Sequence, residues 1–154
     1  VAIDENLNVK AKYVMPIIKG DKKDFDMNSI GKILDEIKSL DSNVIVALEK
    51  SHVRPVQGIR AAFTTGLGFG MFQAMLSCKG MRYIIVNPTV WMRIVFQGNN
   101  SEDKKASVKW CQQMFPNENW KETDRCKNIH TGLSDAVAIA YYCKQNQIGE
   151  KIEM

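Results

Sequence analysis

The run Val44-Ile45-Val46-Ala47-Leu48 constrains this chain more than any other segment. It is apolar throughout, without the in-out alternation of a strand wetted on one face, so it predicts a central strand covered on both sides. A strand of that kind needs layers above and below it, and the flanking sequence supplies them as helical patterns. Ile30, Ile33, Leu34, Ile37 and Leu40 recur at helical spacing over 28–40, with Asp26 or Asn28 as N-cap. The stretch 59–78 and the final one, about 132–145, are helical in pattern too. Residues 1–4, 11–18 and 82–86 read as further strands. Asn87-Pro88-Thr89 opens a short helix carrying Trp91, Ile94 and Val95. Ser101 caps another helix, with Glu102 and Asp103 in its first turn, running to about Phe115. The alternation of short β-branched runs with longer periodic stretches predicts an α/β fold.

With 154 residues and 45% apolar content, the chain is expected to form one domain, 1–154. No repeat, linker or low-complexity tract divides it. No apolar stretch reaches the length of a membrane span, because Gly80, Arg82, Asn87 and Pro88 interrupt the longest one, so no membrane partner is expected. Cys78, Cys111, Cys126 and Cys143 include no C-x-x-C pair and read as reduced, packed thiols, which places the protein in an intracellular, reducing compartment. The segment 117–128 is polar and reads as irregular and exposed.

Three apolar runs each meet a carboxylate: Asp4 after Val1-Ala2-Ile3, Glu49 after the central run, and Asp135 before Ala136-Val137-Ala138-Ile139-Ala140. Uncompensated carboxylates in apolar settings are costly, and grouped ones repel each other and take up protons. A divalent cation removes both costs. The first two acids follow their strands, so they share a rim if the strands are neighbours and parallel, and the third joins them if its helix starts there. Such a site polarises a phosphodiester and generates a hydroxide nucleophile, so the expected chemistry is metal-dependent phosphodiester hydrolysis. Positive groups stand beside the acids: Lys50, His52, Arg54 and Arg60 after Glu49, Lys104 and Lys105 after the Asn-rich loop 97–100, and Arg125 and Lys127 before His130. With 21 basic residues against 17 acidic ones and a net charge of +4, the chain leans toward an anionic partner.

Within 59–78, Ala62, Gly66, Gly70 and Ala74 lie four apart. Each interior glycine costs about 1 kcal/mol relative to alanine, so the stripe implies close approach of a partner helix, of DNA, or of the protein's own sheet, unless the helix starts only near Leu67. Phe63 and Phe69 flank it. An exposed aromatic there can stack on unpaired bases, whereas Phe69, Trp91, Met71 and Met75 read as core.

The order of V-A-I-D, V-I-V-A-L-E with a polar loop, a glycine-rich helix, N-P-T-V-W, and S-D-A-V-A-I-A resembles the RuvC-type Holliday junction resolvases of the RNase H-like superfamily. The likeness is to their chloroplast and phage branch, in which a Q-G segment like Gln57-Gly58 leads into a glycine- and aromatic-rich helix. The resemblance implies an RNase H-like mixed central sheet flanked by helices. It also implies a homodimeric, Mg²⁺-dependent endonuclease, with Mn²⁺ substituting, that makes paired nicks in four-way junction DNA during recombination and repair. Asp4, Glu49 and Asp135 match the metal-binding acids. The family carries a fourth acidic or histidine ligand three or four residues before the last acid; Gly132 and Thr131 stand there, and His130, one position further upstream, is the catalytic candidate. Lys50, Arg54, Gln57, Arg60, Phe63, Lys104, Lys105 and Lys127 are the candidate DNA contacts. A DNA-containing compartment follows, either bacterial or phage-infected cytoplasm or an organelle. An RNase H-like nuclease of other branched DNA or RNA/DNA hybrids would use the same acids. An actin-like or sugar-kinase ATPase would need a second glycine-rich phosphate loop and a longer chain, and a noncatalytic relative would have a broken acid set.

Overall fold

The computed structural model describes residues 1–18, 20, 24–52, 56–96 and 106–147. In chain order the elements are β1 (Ala2–Ile3), β2 (Val9–Ala11), β3 (Ile17–Ile18), β4 (Asp24–Phe25), α1 (Met27–Leu40), β5 (Ile45–Glu49), α2 (Ile59–Cys78), β6 (Arg82–Val86), α3 (Pro88–Val95), α4 (Ala106–Met114) and α5 (Thr131–Gln145). The protein is mixed α/β. Instead of one mixed sheet, the described strands form three two-stranded pairs, β1-β2, β3-β4 and β5-β6. The chain divides into two compact units, Val1–Val14 with Val86–Met154, and Met15–Ile85.

The first unit is built on α5, which packs against α3, α4 and β1. Leu133, Val137, Ala138, Ile139 and Tyr142 form its buried face, and its core joins Leu133 and Val137 to Cys111, Phe115 and Trp120. Val1, Ile3, Leu7 and Val9 of the β1-β2 hairpin pack onto this cluster. A run of edge-to-face aromatics crosses it, from Tyr141 to Trp110 at 5.1 Å, Trp110 to Phe115 at 6.1 Å and Phe115 to Trp120 at 5.8 Å. The segment after α4 has no helix or strand, yet it is not wholly exposed as the sequence predicts. Trp120 is 2% exposed and ties it down, with Lys12 Nζ 5.0 Å over the indole and ion-paired to Glu118.

In the second unit, α1 starts one residue before the predicted helix. The Asp26 carboxylate caps it by accepting from the Ser29 amide at 3.0 Å. Ile30 and Leu34 pack with Met71, Leu76 and Met81, and Val44, just before β5, leans on that cluster with Val46 and Tyr83 of the β5-β6 pair. The predicted strand over 11–18 is broken. Pro16 has no amide to give a ladder, and β2 ends at Ala11 before β3 resumes at Ile17 to pair antiparallel with β4. Helix α2 matches its predicted span. Its glycines divide into two kinds: a Cβ built on Gly68 lies 3.0 Å from Phe25 Cζ, whereas on Gly66 or Gly70 it meets nothing within 4 Å. The small-residue stripe therefore does not pack on the chain's own described residues at these two positions; the close internal approach is at Gly68, which lies off the stripe. Met71 is buried, Met75 and Phe69 half-buried, and Phe63 is 70% exposed.

Candidate active site

Asp4 follows β1 directly, in the tight turn that reverses the chain into β2. Its own backbone closes that turn, Asp4 N donating to Asn8 O at 2.9 Å and Leu7 N to Asp4 O at 3.1 Å. Leu7 takes a left-handed φ of 65° to complete it. The carboxylate is fully engaged. Oδ1 accepts from the amides of Asn6 at 2.9 Å and Asn8 at 2.8 Å, while Oδ2 accepts from Asn8 Nδ2 at 3.0 Å and pairs with Lys10 Nζ at 3.0 Å. The Asn8 side chain, then Lys10 and the backbone donors, hold this carboxyl well below the usual carboxylate range. The sequence suggested an acid in need of a counter-charge; β2 supplies one from Lys10.

Asp135 is in the opposite condition. It sits in the second turn of α5, half-buried, and burial pushes its carboxyl up against the opposing hydrogen bond from Ser107. Ser107 Oγ also lies 3.2 Å from Ser134 Oγ, a buried pair, and Ser134 donates to Thr131 O at 2.9 Å. Sequence reasoning missed this serine pair, for which only Ser134 beside Asp135 gave a signal.

His130 is the N-cap residue of α5. Its amide donates to Trp120 O at 2.9 Å and its carbonyl accepts from the Leu133 and Ser134 amides, so the backbone is pinned between the buried indole segment and the helix. The ring folds back over the helix start. A Cβ on Gly132 would stand 3.0 Å from His130 Cε1 and 3.2 Å from Nδ1. Nδ1 is buried and has no hydrogen-bond partner among the described residues, an expensive condition for a ring nitrogen. Gly132, which departs from the acidic or histidine residue the resemblance expects there, is what leaves room for this imidazole.

Asp4, His130 and Asp135 therefore belong to one unit, in which α5 packs on β1. Glu49 ends β5 in the other unit and is exposed, as is Lys50 after it. Among the described residues no three His, Cys, Asp or Glu side chains stand close enough together to hold a metal ion, so the three-carboxylate convergence expected from the sequence is not found there. Taken singly, the carboxyls of Asp4 and Asp135 are the oxygen donors that a hard divalent cation takes, whereas the His130 imidazole suits softer metals and the Asp4 oxygens are already occupied by donors.

Of the DNA-contact candidates, Arg60 and Lys127 are exposed, as is Phe63 on α2. Gln57 is half-buried and its Nε2 donates to Thr65 Oγ1 at 3.1 Å, steadying the entry to α2. Arg54, Lys104 and Lys105, with the predicted Ser101 cap, lie outside the described residues. No helix among the described residues is long and apolar enough to cross a membrane. Comparison with known family models and with curated proteins returns no match.

Proposed function

We propose that this chain is a Mg²⁺-dependent endodeoxyribonuclease with an RNase H-like fold that acts as a homodimer and resolves four-way DNA junctions by paired nicks. The observation that carries the reading is the start of α5. There a buried imidazole nitrogen has no hydrogen-bond partner among the described residues, five residues ahead of a carboxyl whose pKa burial raises, on the helix that packs against the strand leading to Asp4. An unmet nitrogen and a carboxyl short of compensation are groups that a bound cation or a substrate phosphate would satisfy. Asp4, Glu49 and Asp135 would be the metal's acids through the resemblance, which the described geometry does not gather into one cluster, and His130 would serve beside them.

When bound, the metal supplies Lewis-acid polarisation of the phosphodiester. The chain's own residues supply the rest. Asp4 stays ionised at all working pH values because its turn holds it so. The His130 imidazole, whose backbone is fixed at the helix start, would give a proton to a leaving oxygen or bind metal. Ser107 orients the Asp135 carboxyl. Lys50, Arg60 and Lys127 offer phosphate contacts, and exposed Phe63 a stacking surface indifferent to base identity. A dimer twofold would restrict productive binding to DNA that presents two scissile phosphates at matching separation, which is how shape alone selects a junction.

The test is cleavage of an end-labelled four-way junction against linear duplex and RNA/DNA hybrid, in Mg²⁺ or EDTA, with wild type and Asp4→Asn. Asparagine is the informative substitution because its Oδ1 still accepts the Asn6 and Asn8 amides and preserves the turn. We expect junction nicking that EDTA abolishes and Asp4→Asn lowers at least about a hundredfold. Preferential cutting of the hybrid would move the assignment to an RNase H-like nuclease of other specificity. Equal cutting by the Asp4→Asn variant would remove Asp4 from the site.

A further inference from the structure

We propose that the cavity between the β1-β2 turn and the segment after α4 receives one unstacked nucleobase of the DNA, an adenine by preference. The choice of a base rests on the nuclease reading above, and no metal enters into it.

The cavity measures about 300 Å³, at the small end of ligand sites. Asn6, Asn8 and Val9 line it from the turn and its strand, and Met114, Phe115 and Asn117 from the end of α4 and beyond. All of them belong to one compact unit. Its apolar wall is preformed. Phe115 is buried and held edge-on by Trp110 and Trp120, and Val9 packs on the same cluster. Met114 is 41% exposed and carries a thioether that adapts to the face of a flat ring. No lining residue is cationic, and the one acid among them, Glu118, is ion-paired with Lys12. A phosphate or carboxylate would meet no counter-charge here, so the group that enters is uncharged.

The polar groups on offer are carboxamides. Asn6 and Asn117 are exposed, and their side chains make no hydrogen bond among the described residues, so each can donate and accept. Asn8 has its Nδ2 committed to Asp4 Oδ2, which leaves its carbonyl oxygen to accept. The ligand that satisfies all three is a flat, largely apolar body with adjacent donors and acceptors along its edge and a donor for Asn8. Adenine has that edge, and a carboxamide pairs with its amino group and neighbouring ring nitrogen. Uracil and thymine have no exocyclic amino group. In a stacked duplex the face of the base is covered, whereas an unpaired base at a junction crossover presents both face and edge. The turn that supplies Asn6 and Asn8 is also the one that grips the Asp4 carboxylate, so a base seated here belongs to a nucleotide beside that acid.

The experiment titrates adenosine into the full chain, without metal, and follows the methyl resonances of Leu7, Val9 and Met114 by NMR. We expect saturable shifts with a midpoint at about millimolar adenosine. Uridine should bind at least about threefold more weakly, and inorganic phosphate should leave these methyls in place. Asn6→Ala with Asn117→Ala should weaken adenosine at least about fivefold; Asn117→Ala alone, which lies outside the Asp4 turn, should account for part of that loss. Methyls that do not respond to adenosine, that respond equally to uridine or phosphate, or that respond unchanged in Asn117→Ala and the double variant overturn the proposal. Since the titration needs no cleavage, a protein that nicks the junction yet ignores adenosine loses the base site and keeps the nuclease reading. One that binds adenosine here but nicks no DNA keeps the base site and loses that reading.

Discussion

Helix α2 allows a single substitution, glycine to alanine, to be made in two surroundings on one element. Alanine is better than glycine in a helix interior by about 1 kcal/mol, because the glycine backbone has more freedom to lose on folding. At Gly66 and Gly70 the described residues do not oppose that gain, since the new methyl group meets none of their atoms within 4 Å beyond its own stretch of helix. Gly66→Ala and Gly70→Ala should therefore each stabilise the protein by about 0.5–1 kcal/mol, about 2–4 °C in Tm at the upper end. At Gly68 the same methyl would stand 3.0 Å from Phe25 Cζ and 3.4 Å from Cε2. The ring must shift by a few tenths of an ångström against its neighbours, and overpacking of this kind costs about 1–3 kcal/mol. Subtracting the propensity gain leaves Gly68→Ala between neutral and about 2 kcal/mol destabilising. Urea denaturation followed by far-UV circular dichroism measures all three, with unchanged m-values as the sign that only stability moved. Loss of stability in Gly66→Ala or Gly70→Ala would refute the reasoning. If that loss grows with protein concentration, a second copy lies against the stripe; if not, the helix is packed differently from the structure described above.

Trp120→Ala removes the anchor of the segment between α4 and α5 and should cost about 3–5 kcal/mol in denaturant unfolding. Trp120→Phe should recover most of that loss, because the lost indole nitrogen donates only one long hydrogen bond, of 3.4 Å, to Phe115 O. For Asp135, the folded-state pKa lies above its ordinary 3.8, so the folded chain holds the proton longer than the unfolded one. Stability therefore falls as pH rises from the unfolded value through the folded one, and the penalty is absent below both. In EDTA, Asp135→Asn should raise the urea midpoint at about pH 7 and leave it nearly unchanged at about pH 3; a gain of equal size at both would rule out a titration origin. Burial pushes the Cys111 thiol up to about 12 and the Cys143 thiol up to about 11, whereas Cys78 is exposed. An aromatic disulfide reagent should accordingly label Cys78 first and reach fully buried Cys111 only at the rate of unfolding.

The elements that were legible in the sequence are those whose pattern is local. The α1 period and its Asp26 cap, the long α2 run, and the Asn87-Pro88 start of α3 needed no distant partner to be recognised. The strands were less legible, because a strand's length is decided by what pairs with it. Residues 11–18 look uniformly strand-like, yet the described ladder stops at Ala11 and resumes beyond Pro16. Asp4, His130 and Asp135 could be singled out from the sequence as candidates, but their electrostatic condition could not. Nothing in V-A-I-D says that the next six residues will fold back and saturate the acid, since that depends on a left-handed Leu7 and on the reach of Lys10. Likewise a tryptophan within N-E-N-W-K-E reads as exposed until the aromatic run that receives it is known.

That tryptophan decides where the chain tolerates insertions. A connection between two helices that is pinned at one interior point behaves as two shorter loops, each closed separately. The short arm from Pro116 to Asn119 contains Glu118, bound to Lys12, and Asn119, whose carbonyl Lys12 also holds. It therefore has no slack, and a residue added there would have to pull the indole out of the core. The longer arm from Lys121 to Asn128 is exposed at every position except Cys126, and is turned back on itself by Asn119 bonded to Asp124 and by the Cys126 amide on Thr123. Extra residues there would enlarge a surface loop while leaving the His130 amide on Trp120 in place. A library of inserted peptides should therefore divide sharply at Trp120, and the permissive side is where a fluorophore or affinity tag can be built in without disturbing α5.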